Sequence, residues 1–93
     1  MVVAVLTAEF RLPAAQTLKD KRSVVQSLVR RTAQRFRVAA AEVGLQDDVR
    51  RAEVAVAVVS GEWRHAEQVL QEALRFMESQ YPVEFIDGGV ERR

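Results

Sequence analysis

The period of the apolar residues changes along this chain, and the order of those changes limits the folds open to it. Residues 2–12 alternate with a period of two, which predicts a strand with one fully apolar face. Pro13 should end that strand, because proline has no N–H to donate to a sheet. Residues 17–37 then place apolar side chains at helical spacing, with Thr17 and Asp20 positioned as a capping box. The chain therefore opens with a strand followed by a helix.

Two further strands are predicted in the middle of the chain. Residues 38–43 form a strand of low hydrophobicity, and a loop of turn residues at 44–48 follows it. Residues 52–60 form a strand that is apolar on nearly both faces, a pattern typical of the centre of a sheet.

The last third of the chain repeats the helix and the strand. Ser60 is placed to N-cap a second helix, with Glu62 in its first turn, and residues 81–82 should close it. Residues 83–90 are predicted as the last strand, and the glycine pair within it, Gly88 and Gly89, should mark a frayed end.

The resulting order, β-α-β-β-α-β, predicts a ferredoxin-like α+β sandwich. Two helices should cover one face of a four-stranded antiparallel sheet, since right-handed crossovers place both helices on the same side. The first and third strands should be central. At 93 residues the chain is expected to form one domain, 1–93.

Composition narrows the function classes. The chain has no cysteine, so disulfides, iron–sulfur clusters and thiolate zinc sites are excluded. The only histidine, His65, should point away from the apolar stripe of the second helix and be solvated. No phosphate-cradling glycine motif is present, and Asp47 and Asp48 fit a loop turn better than a cation site. We expect no enzymatic activity, cofactor, metal or small-molecule substrate; a small-ligand or enzymatic role ranks last, because no convergent set of titratable groups is visible.

Charge is divided unevenly along the chain. Residues 1–37 carry a balance of +6 and residues 38–93 a balance of −5, which the net charge of +1 hides. Cations at the start of the first helix are unfavourable, because the helix dipole is positive at that end. A sequence that breaks such a rule without visible compensation indicates a functional reason for those residues. We predict phosphate contacts, and hence nucleic-acid binding, from six residues: Lys19, Lys21, Arg22, Arg30, Arg31 and Arg37. The alternative is an ordinary solvated basic face.

The open face of the predicted sheet is the second candidate surface. Its residues are small and mostly apolar, and they lack the aromatic side chains on which RNA-recognition motifs stack bases. Such a face is a possible interface for a homodimer or a protein partner, or a partly wet surface screened by neighbouring charges. The candidate interface residues are Val3, Val5, Thr7, Ala55, Ala57 and Val59.

Several segments of the sequence resemble the YlxP-like family of small bacterial proteins, a domain of unknown function. The most specific part is Leu18-Lys19-Asp20-Lys21-Arg22, which is similar to the family's "sLKeKR" type of motif. The resemblance extends over almost the whole chain, through Ala41-Glu42, Gln46-Asp47, Arg51-Ala52-Glu53 and the segment from Ala57 to Ser60.

The resemblance implies a ferredoxin-like fold and no established enzymatic activity. The family's genes often lie among genes for transcription elongation, translation initiation and ribosome maturation, which implies an RNA- or ribosome-linked role. The apolar N-terminal stretch lacks the features of a signal peptide, and no apolar run approaches the roughly 20 residues that span a bilayer. We therefore expect a cytoplasmic protein without a membrane partner.

Overall fold

The computed structural model describes all 93 residues and has the predicted order of elements. Its four strands and two helices are β1 (Val2–Arg11), α1 (Leu18–Phe36), β2 (Ala39–Gly44), β3 (Arg51–Ser60), α2 (Trp63–Gln80) and β4 (Glu84–Arg92). The sheet is antiparallel throughout with strand order β2-β3-β1-β4, and both helices pack on one face of it. The ferredoxin-like prediction is confirmed, and so are the central positions of β1 and β3.

Alternation in the sequence determines which side of the sheet is buried. Along β1 the even-numbered residues from Val2 to Phe10 are buried under the helices, and the odd-numbered ones are half-buried or exposed on the other face. The same holds along β3, where Ala52, Val54, Val56 and Val58 are buried. The helices complete this core with buried residues spaced three or four apart, Val25, Leu28 and Thr32 in α1 and Ala66, Leu70, Ala73 and Met77 in α2.

The two helices begin differently. Thr17 caps α1 as predicted: its side chain accepts from the Asp20 N–H, and the Asp20 carboxylate accepts in return from the Thr17 N–H. The expectation that Ser60 caps α2 is wrong. Glu62 is the N-cap, without a side-chain cap bond, and the Ser60 hydroxyl instead accepts from the Glu62 N–H at 3.1 Å in the preceding turn. Two residues of turn separate β3 from α2, so Ser60 still belongs to the strand.

The glycine pair near the C-terminus lies inside β4 rather than at a frayed end. Gly88 pairs with Ala8 and Gly89 with Thr7, and the strand continues to Arg92. A Cβ at Gly88 would lie 2.1 Å from the Thr7 carbonyl oxygen, and its φ of 156° is unfavourable for other residues. A register shift between Glu9 and Phe10 lies next to this pair. Gly88 therefore allows β4 to approach β1 closely beside a bulge.

Neither helix is long and apolar enough to cross a membrane.

Candidate anion-binding surface on the first helix

The cation at the centre of the basic motif is buried. Lys21 has no exposed surface, and its ammonium group lies between the first turn of α1 and the loop that joins β2 to β3. The ammonium donates to the carbonyl oxygens of Leu45 at 2.8 Å and Gln46 at 3.3 Å. It also forms an ion pair with Glu42, with Nζ and Oε2 2.7 Å apart. Two carbonyl oxygens accept hydrogen bonds from the ammonium group and a carboxylate balances its charge, so Lys21 is neutralised inside the protein.

This burial corrects the assignment of Lys21 to a phosphate-binding surface. A phosphate group cannot reach a fully buried ammonium without opening the β2–β3 loop, and Glu42 already supplies the negative charge. The contact stabilises the loop in an unfavourable backbone conformation, because Leu45 adopts a positive φ of 57°, which is unusual for a residue other than glycine. Lys21 thus holds a strained loop against the helix. This contact explains why a cation is found in the first turn of α1, where the helix dipole disfavours it.

The other predicted cations of α1 are exposed, and four of them share its outer side. Lys19 and Arg30 are separated by 11 residues, about three turns at 3.6 residues per turn, so they lie in one row of α1, and Arg37 is the exposed, left-handed C-cap residue that follows the helix. Arg22 is exposed on the adjoining flank. None of these four cations forms an ion pair, because the four ion pairs of the structure involve only one residue of α1, Lys21. We call Lys19, Arg22, Arg30 and Arg37 the outer basic face.

Arg31 lies apart from the outer basic face, on the flank of α1 that faces α2. It donates to the Tyr81 hydroxyl at 3.3 Å, and its guanidinium carbon lies 5.7 Å from the centres of both the Phe76 and Tyr81 rings. Arg35, one turn further along α1, lies 5.1 Å from the centre of the Phe76 ring. The structure therefore separates one predicted phosphate contact from the rest and places it at the seam between the helices.

The candidate interface residues do lie together on the open face of the sheet. The register pairs Val3 with Val59, Val5 with Ala57, and Thr7 with Ala55. Alanines of β2 continue the patch, because Ala39 pairs with Ala57 and Ala41 with Ala55. Val59 is 67% exposed. The result is a contiguous patch of small residues over three strands.

Charged residues close one end of that patch. Arg51 forms an ion pair with Glu9 across β3 and β1, with the guanidinium Nε 2.9 Å from the carboxylate. This hydrogen bond, with the charge of Glu9, raises the pKa of Arg51 above its ordinary value. Arg11 and Glu84 form a second ion pair between β1 and β4. The alternative that this face is a partly wet surface screened by neighbouring charges stays a prediction.

The few side chains with catalytic potential are scattered. His65 is exposed on α2, and Asp48 accepts from the Arg50 N–H at 2.9 Å, which is a local turn contact. No group of three or more histidine, aspartate or glutamate side chains is placed to hold a metal ion.

Two features of the site were missed in the sequence. Glu42 lies 21 residues from Lys21, so no local spacing pairs them, and only the return of β2 beneath α1 brings them together. The groove between the helices adds Arg75 of α2 to Arg31 and Arg35. Arg75 belongs to residues 38–93, which have an acidic balance. A charge averaged over that half of the chain does not indicate a basic residue at this position.

Comparison with known proteins identifies the family. Residues 3–89 match the family model described as "Protein of unknown function (DUF503)", so the chain belongs to this family. A relative from Bacillus subtilis (strain 168), the "Uncharacterized protein YlxP", is 35% identical over 65 residues, which are 70% of this chain and 71% of that protein. The predicted YlxP-like membership is confirmed.

A solved structure supports the fold alone. A de novo designed protein with a ferredoxin fold, determined by solution NMR, superimposes with a TM-score of 0.63. The match covers 100% of this chain and 84% of the designed one at 10% sequence identity. Because that protein was designed rather than evolved, the likeness reports the packing of two helices on a four-stranded sheet and nothing about a ligand.

Proposed function

We propose that this protein is a non-enzymatic, cytoplasmic domain that binds structured RNA, on or near the ribosome, through the outer basic face of α1. Lys19, Arg22, Arg30 and Arg37 contact phosphates, while base sequence is not read. The observation that carries the proposal is the absence of carboxylate partners around these four exposed cations, on the helix whose buried lysine is fully paired.

The dimensions of the outer basic face suit a helical nucleic acid. At a rise of about 1.5 Å per residue, Lys19 and Arg30 are roughly 16 Å apart along α1, and Arg37 directly follows the last residue of the helix. Such a row follows a phosphate backbone without entering a groove, which fits recognition of double-stranded RNA by shape. The open sheet face has no aromatic residue among its candidate positions, so base stacking there does not compete with this mode. The ribosome-linked role is supported by the genomic setting of the family.

Fluorescence anisotropy with ribosomal RNA fragments tests the proposal. The variant carries Lys19→Gln, Arg22→Gln, Arg30→Gln and Arg37→Gln, and circular dichroism verifies its fold. We expect it to lose most of the RNA affinity at low salt, because four phosphate contacts are removed. The matched control replaces four exposed arginines elsewhere, Arg11, Arg64, Arg92 and Arg93, with glutamine, and it should retain binding. Equal loss in both variants, or no binding by the wild-type protein, would contradict the proposal.

A second candidate function is self-association through the open sheet face. The observation in its favour is the shallow, wholly apolar depression of about 180 Å³ that alanines of β2 and β3 form there. Small side chains let a second copy of the sheet approach closely, and sheets that pack face to face bury such residues at about 10 Å separation. The partner in this second candidate is another copy of the same chain, so measurements on the purified protein test it.

Sedimentation velocity over a wide concentration range tests self-association. Val5 is at the centre of the patch, and Val5→Glu should convert a dimer to a monomer because it places a charge in the apolar interface. Arg30→Gln, on the opposite side of the molecule, should leave the dimer intact while weakening RNA binding. A wild-type protein that sediments as a monomer at all concentrations would remove this candidate.

A further inference from the structure

The groove between the C-terminal half of α1 and α2 is a second, separate concentration of positive charge. It has a volume of about 460 Å³, within the usual range for small-ligand sites. Three arginines line it, Arg31 and Arg35 from α1 and Arg75 from α2, and none of them forms an ion pair. The only carboxylate in the lining is Glu72, whose Oε1 accepts from Gln68 at 3.3 Å.

Two of these guanidinium groups are held in place by aromatic rings. Both lie over the Phe76 ring, whose centre is 5.7 Å from the guanidinium carbon of Arg31 and 5.1 Å from that of Arg35. Phe76 is itself fixed by edge contacts with Phe36 at 5.6 Å and Tyr81 at 6.4 Å. A guanidinium that stacks on a ring through its face keeps the N–H donors on its edge free. These donors match the oxygens of phosphate and carboxylate groups.

Hydrogen bonding fixes the orientation of Arg31 further. Its Nη1 donates to the Tyr81 hydroxyl, which is 2.9 Å from the Ser27 hydroxyl. The dipole of α1 accounts for one cation in its last turn, Arg35, but not for Arg75 on another helix. Simple mutual repulsion would drive three unpaired cations apart, yet the aromatic contacts hold two of them at one ring. This arrangement lowers the conformational entropy lost when an anion binds.

We infer that this interhelical groove binds the linked phosphates of a small molecule, such as the polyphosphate chain of a nucleotide. Three guanidinium groups exceed what one phosphate group requires, and a chain of two or three phosphates engages all of them. The side-chain amide of Gln80, which also lines the groove, is a further donor, whereas the Ser79 hydroxyl already donates to the Phe76 carbonyl oxygen at 3.2 Å. The inference goes beyond RNA binding by the outer basic face, because it uses a different flank of α1 and a residue of α2.

Arg75 offers the cleanest test, because it is exposed and makes no cation–π contact. Isothermal titration calorimetry with sodium tripolyphosphate is performed on the wild type, Arg75→Gln and the matched control Arg64→Gln. Arg64 is also exposed and unpaired on α2, but it lies outside this groove. We expect Arg75→Gln to raise the Kd about tenfold, as for loss of a charge-assisted hydrogen bond, and Arg64→Gln to change it less than about twofold.

Further titrations separate the groove from general electrostatic attraction and from RNA binding. Orthophosphate should bind at least about tenfold more weakly than tripolyphosphate, because it engages fewer guanidinium groups. ATP should bind at least as tightly as tripolyphosphate and compete with it. The variant with all four residues of the outer basic face replaced by glutamine should keep its affinity for tripolyphosphate and lose its affinity for RNA. The inference is overturned if wild type shows no tripolyphosphate binding at millimolar concentration, or if Arg64→Gln weakens it as much as Arg75→Gln.

Discussion

The first and the last turns of α1 both carry cations, but these cations differ in burial and in their partners. At the start of the helix Lys21 is fully buried, with a carboxylate and two carbonyl oxygens around its ammonium group. Near the end Arg31 and Arg35 are exposed, stacked on aromatic rings and without a carboxylate partner. The cations of one helix therefore include both paired and unpaired side chains, and only the partners of each cation in the structure distinguish them.

The most conspicuous motif has mainly structural roles. Within Leu18–Arg22, Asp20 closes the capping box and Lys21 anchors the β2–β3 loop, whereas Lys19 and Arg22 form no ion pair. The arginines further along the helix are more widely spaced in the sequence, yet they supply most of the unpaired charge on α1.

The largest predicted effect comes from removal of the buried cation, Lys21, and it tests the contrast between the two ends of α1. Lys21→Met keeps the aliphatic stem but leaves Glu42 and two carbonyl oxygens without their donor. We expect the free energy of unfolding, measured by urea denaturation, to fall by about 3–5 kcal/mol, as for one-sided removal of a buried ion pair. Lys19→Met, two residues earlier and exposed, should change it by less than about 0.5 kcal/mol. Similar stabilities for the two variants would show that Lys21 has no special structural role.

A smaller effect tests the capping box that starts the same helix. Thr17→Ala removes the side-chain acceptor of the Asp20 N–H and should lower the free energy of unfolding by about 1 kcal/mol. Ser23→Ala, at an exposed helical position, is the matched control and should be neutral or slightly stabilising. Thermal denaturation followed by circular dichroism measures both. A neutral Thr17→Ala would mean that the first turn does not depend on its cap.

The smallest effect concerns the arginines of the last turns. Arg35→Gln removes a guanidinium from the Phe76 ring and should cost about 0.5–1 kcal/mol of stability, the range for exposed cation–π contacts. Arg30→Gln, which has no aromatic contact, should cost less. The same denaturation experiment compares them. A loss above about 3 kcal/mol for Arg35→Gln would make it a structural residue like Lys21 and would remove the contrast between the two ends of the helix.

Most of the fold was predictable because its signals are local. The alternation from Val2 to Phe10 and the pairing of Thr17 with Asp20 each depend on residues close in the chain. The start of α2 was predicted wrongly, since Ser60 and Glu62 are both adequate N-terminal residues and the length of β3 decides between them. Gly88 was misread for a related reason: its close approach to Thr7 exists only once β4 pairs with β1.

The candidate site was less predictable, because its contacts join distant parts of the chain. The sequence identified the cations of α1 but could not show that Glu42 neutralises one of them. The interhelical groove combines residues about 40 positions apart, Arg35 and Arg75, and neither belongs to a recognisable motif. Helical spacing in the sequence puts Arg31 and Arg35 on a different side of α1 from Lys19 and Arg30, and this was the available clue.

The salt dependence of RNA binding tests most directly the claim that the outer cations of α1 are held for phosphates while Lys21 is not. Anisotropy titrations over a range of salt concentrations give the slope of log K against log salt for wild type, Lys19→Gln and the double variant Lys19→Gln/Arg30→Gln. Each substitution should reduce the magnitude of the slope by roughly 0.7–0.9, the value for one lost phosphate contact. Slopes that stay unchanged in both variants would contradict the account.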